Sequence, residues 1–254
     1  MSATADITTA MVLAAGLGRR MQPLTDTMPK PLVPLAGRAM IDHVLDRIAA
    51  AGLTRAIINV HYLADQIEAH VAQRERPQIH ISDERGVLLE TGGGIVRALP
   101  SLGSAPFVIH NSDSVWLEPR GSNIARLVET WDDSRMDSLM LLAPRETSLG
   151  YDGHGDFHMR DDGHLSRRTP GSDAPYVFAG VSIAHPRLFD DAKEERFSLN
   201  LLWDQAIERG RIYGVVLDGT WMHVGTVAAL HDAERLIREA SGHAAVSPKL
   251  TGDA

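Results

Sequence analysis

Apolar positions along the chain follow two periods, and the switches between them mark out the elements. "AMVLAAG", Ala10 to Gly16, is almost wholly apolar and ends in glycine, the pattern of a buried strand feeding a loop. The next stretch, "LGRRMQPLTDTMPKPLVPLAGR", is broken by four prolines that forbid a continuous helix, so a long loop is expected there. From Met40, "MIDHVLDRIAAAG" sets Ile41, Val44, Leu45 and Ile48 at helical spacing and stops at Gly52, predicting an amphipathic helix with a glycine at its end. "RAIINV" then reads as a second buried strand, "LADQIEAHVAQ" as a second helix and "QIHIS" as a third strand. This strand-loop-helix-strand-helix-strand order predicts parallel strands with helices on both faces.

The second half is less regular. A short helix through "IVRAL" follows "ETGGG", and "APFVIHNSD" is a strand running into polar residues. "DSLMLLA", "GDFHMR", "GHLSRR" and "YVFAGVSIA" read as closely spaced strands, expected to add antiparallel to the sheet. "SLNLLWDQAIERG" predicts a helix, "RIYGVVL" and "GTWMHVG" the last strands, and "VAALHDAERLIREA" a terminal helix. From Ser241 the periodicity is lost, so one domain over residues 1–240 followed by a mobile tail, 241–254, is expected.

Composition narrows the function classes. With 254 residues, 44% hydrophobic and 23% charged, the chain has the make-up of a globular α/β protein with a sizeable core. A formal net charge of -8 argues against a general attraction to nucleic acid or anionic lipid, so any phosphate must be met by a few placed cations. The absence of cysteine excludes disulfides, thiolate zinc sites and cysteine nucleophiles. No run approaches the roughly 18 to 20 apolar residues of a membrane helix. The opening "MSATADITTA" is polar and acidic where a secretory signal would be basic. A cytoplasmic protein is expected, without nucleic-acid or membrane partners, as a monomer or small homo-oligomer.

The most informative segment runs from Leu13 to Gly37. Gly16 and Gly18, directly after a strand, allow the backbone to approach a phosphate and turn its amide hydrogens inward. The dinucleotide fingerprint would need a third glycine where Met21 stands, and the Gly-Lys-Ser/Thr of a P-loop is absent. What distinguishes the loop is Arg20, a fork of donors, and Lys30, a compact charge held between Pro29 and Pro31.

The pattern L-A-A-G-x-G-x-R-M-x-P-L-T followed by P-K-P-L resembles the signature of the sugar-1-phosphate nucleotidylyltransferases. Later landmarks fall in the same order as in that family: "ETGGG" at Glu90 to Gly94, "NSD" at Asn111 to Asp113, "FAG" at Phe178 to Gly180 and "WMHVGT" at Trp221 to Thr226. Within the family, the compact length and "ETGGG" look most like the N-acetylmuramate-1-phosphate uridylyltransferases of cell-wall recycling, with mannose-1-phosphate guanylyltransferases close by. The resemblance implies a Rossmann-like, three-layer α/β fold of the glycosyltransferase-A-like kind, with a mixed, mostly parallel central sheet. It implies an NTP and a sugar 1-phosphate as substrates, with UTP and N-acetylmuramate 1-phosphate the leading pair. The alternatives are mannose or heptose 1-phosphate with GTP, or a catalytically impaired nucleotide-sugar-binding regulator.

In such a reaction a sugar-phosphate oxygen attacks the α-phosphorus and pyrophosphate leaves. A phosphate monoester has a second pKa of about 6, so the nucleophile is already anionic and no general base is required. Catalysis then consists of aligning two anions and neutralising the transferring group. The resemblance assigns Arg20, Lys30 and Asp113 to catalysis, and Ala14, Ala15, Gly16, Gly18, Thr91, Gly92 and Gly93 to the nucleotide. For Thr91, Gly92 and Gly93 the competing expectation is a flexible turn. Asn111, Asp156 and Gly180 are the candidates for the sugar. Mg2+ would be held by Asp113, which otherwise would merely cap a turn. The family's second metal position, usually aspartate, is His223 here. Either Asp113, phosphates and water suffice, or a softer ion such as Mn2+ or Co2+ is used, or His223 meets phosphate as a cation, or turnover is lost.

Overall fold

The computed structural model describes residues 6–118 and 121–244, with side chains described to residue 240. After β1 (Thr9–Leu13), the proline-rich stretch forms three 3-10 turns, Arg19–Met21, Leu24–Asp26 and Lys30–Leu32, and a small hairpin of β2 (Pro34–Leu35) and β3 (Arg38–Ala39). It is therefore more structured than an open loop. α1 (Met40–Ala50) fully buries Ile41, Val44, Leu45 and Ile48, each contributing roughly 1.5–3 kcal/mol.

β4 (Arg55–Val60), α2 (Ala64–Val71), β5 (Gln78–Asp83), α3 (Glu90–Leu102) and β6 (Phe107–Asn111) follow. The alternation gives the expected parallel pairing, with Met11 of β1 opposite Ile57 of β4 and Ile109 of β6. β5 is an edge strand, and its residues are mostly exposed. β7 (Ser114–Leu117) and α4 (Asn123–Thr130) lie outside the elements legible in the sequence, being too short for a period to stand out. A Ser122 hydroxyl that accepts from Ala125 N–H starts α4.

β8 (Ser138–Pro144), β9 (Phe157–Met159), β10 (Leu165–Arg167) and β11 (Tyr176–Ala184) precede α5 (Asn200–Glu208), β12 (Ile212–Val216), β13 (Thr220–His223) and α6 (Val227–Ala244). β11 is antiparallel to β6, β8 and β9, as expected. β12, whose direction the sequence pattern did not give, runs parallel to β8. Because β8 opposes β11, β12 also runs opposite to β11.

Among the described residues the result is a nine-stranded sheet in which only β10 and β11 oppose the common direction, a mixed, mostly parallel sheet. One face packs against Ile48 of α1, Ile67 of α2 and Leu127 of α4; the other packs against Ile95 of α3 and Trp203 of α5. This is the three-layer α/β arrangement expected. A third core joins Met21 and Val33 of the loop, Met40 of α1, Val115 of β7, Met222 of β13 and Leu230 of α6. β13 pairs with β7 as a separate two-stranded sheet on top of this core.

α6 continues to Ala244, so the boundary expected at Ser241 falls inside a helix. The remainder of the expected tail, 245–254, lies outside the described residues. Among the described residues no helix is long and apolar enough to cross a membrane.

Candidate active site

β1 and β6 end side by side, and ligand sites of α/β sheets gather at such carboxyl ends. Two adjoining compartments open there. The smaller, about 370 Å³, is lined by Ala14, Ala15, Gly16, Gly18 and Lys30. The larger, about 1020 Å³, is lined by Arg20, Asp156, Gly180 and His223. Thr91, Asn111 and Asp113 border both. The fold thus brings all of the expected site residues to one place except Gly92 and Gly93.

The seam between the compartments is marked by an ion pair. Lys30 Nζ donates to Asp113 Oδ2 at 2.5 Å, with the lysine side chain 12% exposed and the aspartate 34%. Burial alone would raise the Asp113 carboxyl, but the charge and hydrogen bond of Lys30 outweigh it and hold it below the ordinary carboxylate range. Lys30 opens its 3-10 turn between Pro29 and Pro31, and Asp113 lies in the two-residue turn from β6 into β7. The aspartate therefore does sit at a turn, with its carboxylate turned into the cleft.

The glycine loop is built for close approach. A Cβ on Gly16 would meet nothing within 4 Å, so the space above its backbone is open. Gly18 adopts φ +65° and starts the turn that carries Arg20, while Thr25 Oγ1 donates to its carbonyl at 2.9 Å. The backbone N–H of Ala14 is occupied, donating to Asn59 Oδ1 at 2.7 Å. Asn59 Nδ2 donates to Glu84 Oε1 at 2.7 Å, and Leu89 N–H donates to Glu84 Oε2 at 3.1 Å. This buried Asn59–Glu84 link ties the end of β1 to the start of α3, and sequence reasoning missed it. Its only signal is a polar residue in the apolar run "RAIINV".

"ETGGG" forms the first turns of α3 and is no flexible turn. The chain's own 195–197 segment makes the close approach expected at Gly92 and Gly93. A Cβ on Gly92 would fall 2.2 Å from the Phe197 ring, and one on Gly93 2.0 Å from the Glu195 carbonyl oxygen. Gly92 N–H donates to Phe197 O at 2.9 Å. Thr91 Oγ1 accepts from Leu199 N–H, and with Glu90 it faces the smaller compartment.

His223 reaches Asp113 through strand pairing: in the β13–β7 register it stands opposite Ser114, the neighbour of Asp113. Burial, then the nearby charge of Arg20, pushes the imidazole below its ordinary pKa, although Asp113 acts in the other direction. The ring is therefore neutral at pH 7 and offers a lone pair. Arg20 stands with it on the larger compartment, both beside the backbone of Gly225. Among the described residues no group of three or more His, Cys, Asp or Glu converges. Asp113 and His223 together fit an ion that takes most of its ligands from phosphate and water.

On the sugar side, Asp156 and Gly180 both line the larger compartment and also serve the fold. Asp156 Oδ2 accepts from Phe178 N–H at 2.9 Å, so half of that carboxylate holds β11 in place. Gly180, at φ +80°, lies in the bulge between Phe178 and Ser182, where a Cβ would fall 2.7 Å from Ser114 Cβ. Its missing side chain admits β7, and the bulge brings the strand over Asn111. Arg167, Arg168 and Tyr151 also line the larger compartment and were not singled out by sequence.

Comparisons with known proteins agree with this geometry. A family model described as "MobA-like NTP transferase domain" matches residues 10–194. An N-acetylmuramate alpha-1-phosphate uridylyltransferase from Caulobacter vibrioides is 46% identical over 235 residues, 91% of this chain and 97% of that protein. One of the same name from Neisseria meningitidis serogroup B is 34% identical over 230 residues, 89% of this chain and 97% of that protein. Among solved structures, apo UDP-glucose pyrophosphorylase superposes with a TM-score of 0.74 over 92% of this chain and 99% of its own; at 17% identity it supports the fold alone. The glycine loop, the Lys30–Asp113 seam and these matches lead to one conclusion: the chain belongs to the MobA-like NTP transferase domain family.

Proposed function

We propose that the chain is a sugar-1-phosphate nucleotidylyltransferase that transfers UMP from UTP to N-acetylmuramate 1-phosphate, releasing pyrophosphate. The observation that carries this is the Lys30–Asp113 pair at the seam of two compartments, one lined by a glycine loop and one large enough for a substituted hexose. Support for the base and the sugar comes from the two relatives named as uridylyltransferases, with which the chain shares nearly its whole length.

The triphosphate lies along Gly16 and Gly18 in the smaller compartment, with Thr91 beside the nucleoside. The sugar phosphate enters from the larger compartment, and its oxygen attacks the α-phosphorus as the bond to the β-phosphate breaks. Lys30 neutralises the transferring group, and Arg20, on the larger compartment beside His223, lowers the repulsion between the two anions. Asp113 positions Lys30 and, with His223, would hold a divalent ion. That ion, when bound, supplies further charge neutralisation on the phosphates. A neutral imidazole in place of a carboxylate suits Mn2+ or Co2+ as well as Mg2+. The intact Lys30–Asp113 pair favours an enzyme over a nucleotide-sugar sensor.

Pyrophosphate release across UTP and GTP, N-acetylmuramate and mannose 1-phosphates, and Mg2+, Mn2+ and Co2+ tests the proposal. Release with the UTP and N-acetylmuramate pair supports it. Nucleotide binding without release in any combination would make the chain a sensor.

A further inference from the structure

Two neighbouring arginines face the larger compartment in different electrostatic states. Arg167 is neutralised: its Nε donates to Asp204 Oδ1 at 2.7 Å, its Nη2 to Asn200 Oδ1 at 2.8 Å, and its guanidinium lies 4.7 Å over the Phe157 ring. Arg168 is held by carbonyls alone. Its Nε donates to Gly155 O at 3.1 Å, and its Nη1 to Ser172 O at 3.0 Å and Thr169 O at 3.3 Å. Among the described residues no carboxylate pairs with Arg168. Carbonyls orient a guanidinium without cancelling its charge, and among the described residues Nη2 meets no protein acceptor. A fork fixed in advance loses little entropy when it meets an anion.

The surroundings narrow what that anion is. The Lys30–Asp113 seam and the glycine loop form the phosphate-binding end of the site, and Arg168 borders only the larger compartment. Asp156 faces the same space, but its Oδ2 is engaged by Phe178 N–H. Tyr151 stands in that wall, its phenol oxygen accepting from Gly155 N–H at 3.1 Å, so the loop that orients Arg168 is itself fastened.

We propose that Arg168 is a specificity-determining residue that pairs with a carboxylate carried on the sugar ring, selecting an acidic sugar 1-phosphate over a neutral one. This rests on the sugar-1-phosphate assignment above. A planar carboxylate meets the guanidinium edge through charge-assisted hydrogen bonds, and an uncharged substituent leaves that edge unpaired.

The test is a cycle of enzyme and substrate changes, read as kcat/KM from pyrophosphate release with UTP. N-acetylmuramate 1-phosphate is compared with its carboxyl methyl ester on the native protein, Arg168→Gln and Arg168→Lys. The native protein should favour the acid over the ester by about 10–100-fold. Arg168→Gln should bring that ratio to about 1, and Arg168→Lys should fall between. Equal losses on acid and ester in Arg168→Gln would overturn the proposal, because a structural or phosphate-binding role affects both. A ratio unchanged by Arg168→Gln, or near 1 in the native protein, would also overturn it. No release by the native protein from either compound would instead refute the assigned reaction, and the proposal with it.

Discussion

At the residue scale, Lys30 is the position on which the chemistry depends most. Its Nζ is fixed against Asp113 while the backbone before and after it is proline. Replacement by alanine removes a charge aimed at the transferring phosphoryl group, and kcat should fall by about 10²–10³-fold. The pair is partly exposed, so its loss should cost about 1 kcal/mol and lower the Tm by only about 2–4 °C. Steady-state kinetics beside a thermal melt checks both; a melt that collapses along with kcat would make Lys30 a scaffold residue. Lys30, Arg20, Asp113 and His223 were legible because each sits in a motif whose neighbours restrict it. Arg168 was not legible, since its meaning comes from the carbonyls of Gly155, Thr169 and Ser172 that fold around it.

At the scale of elements, glycines of similar appearance do different things. Gly16 has open space above it, whereas Gly93 sits under the Glu195 carbonyl. Gly16→Ala should leave the Tm unchanged and raise the KM for UTP on the order of tenfold, by blocking a phosphate's approach to the backbone. Gly93→Ala should destabilise by about 2–3 kcal/mol, because a backbone carbonyl cannot move aside as a side chain can. Parallel measurement of melting and KM on the two variants separates the roles; matching profiles would contradict the distinction. Sequence pattern located both glycines but could not say what approaches them. That depends on the 195–197 segment, which is far away along the chain. The same limit hid the Asn59–Glu84 link and the direction of β12, both set by tertiary neighbours.

Across the whole molecule, the sheet is held at the end opposite the site by Asp137, 6% exposed, which accepts from Arg187 Nε and Arg211 Nε at 2.8 Å each. Burial alone would raise its pKa, but the two arginines hold it below the ordinary value of 3.8. Its folded pKa is lower than its unfolded one, so the stability it adds is present above pH 3.8 and is lost as pH falls through the folded value. Asp137→Asn should therefore cost about 2 kcal/mol at pH 7, reduced from a fully buried pair because both guanidiniums are about a third exposed. Denaturant unfolding at pH 7, 5 and 3 should show that difference intact at pH 5 and shrinking at pH 3.

His110 behaves with the opposite charge logic: it is fully buried against Trp116, and burial first of all pushes its pKa down to about 3. The unfolded chain takes up a proton there below pH 6.5, so this contribution to stability is already lost between pH 6.5 and 3. His110 stacks on a ring from β7, an element the sequence pattern did not single out. Parallel order, the two-sided helical cover and the terminal helix were legible because long apolar periods specify them. The short strands of the second half were legible as strands, but not in their partners.

Pyrophosphate release from UTP and N-acetylmuramate 1-phosphate measures the chemistry at the seam directly. With a divalent ion present, the expected result is stoichiometric formation of pyrophosphate and the UDP-sugar, and a kcat/KM well above that for GTP and mannose 1-phosphate. No release from the UTP pair, or preferential release from the GTP pair, would contradict it.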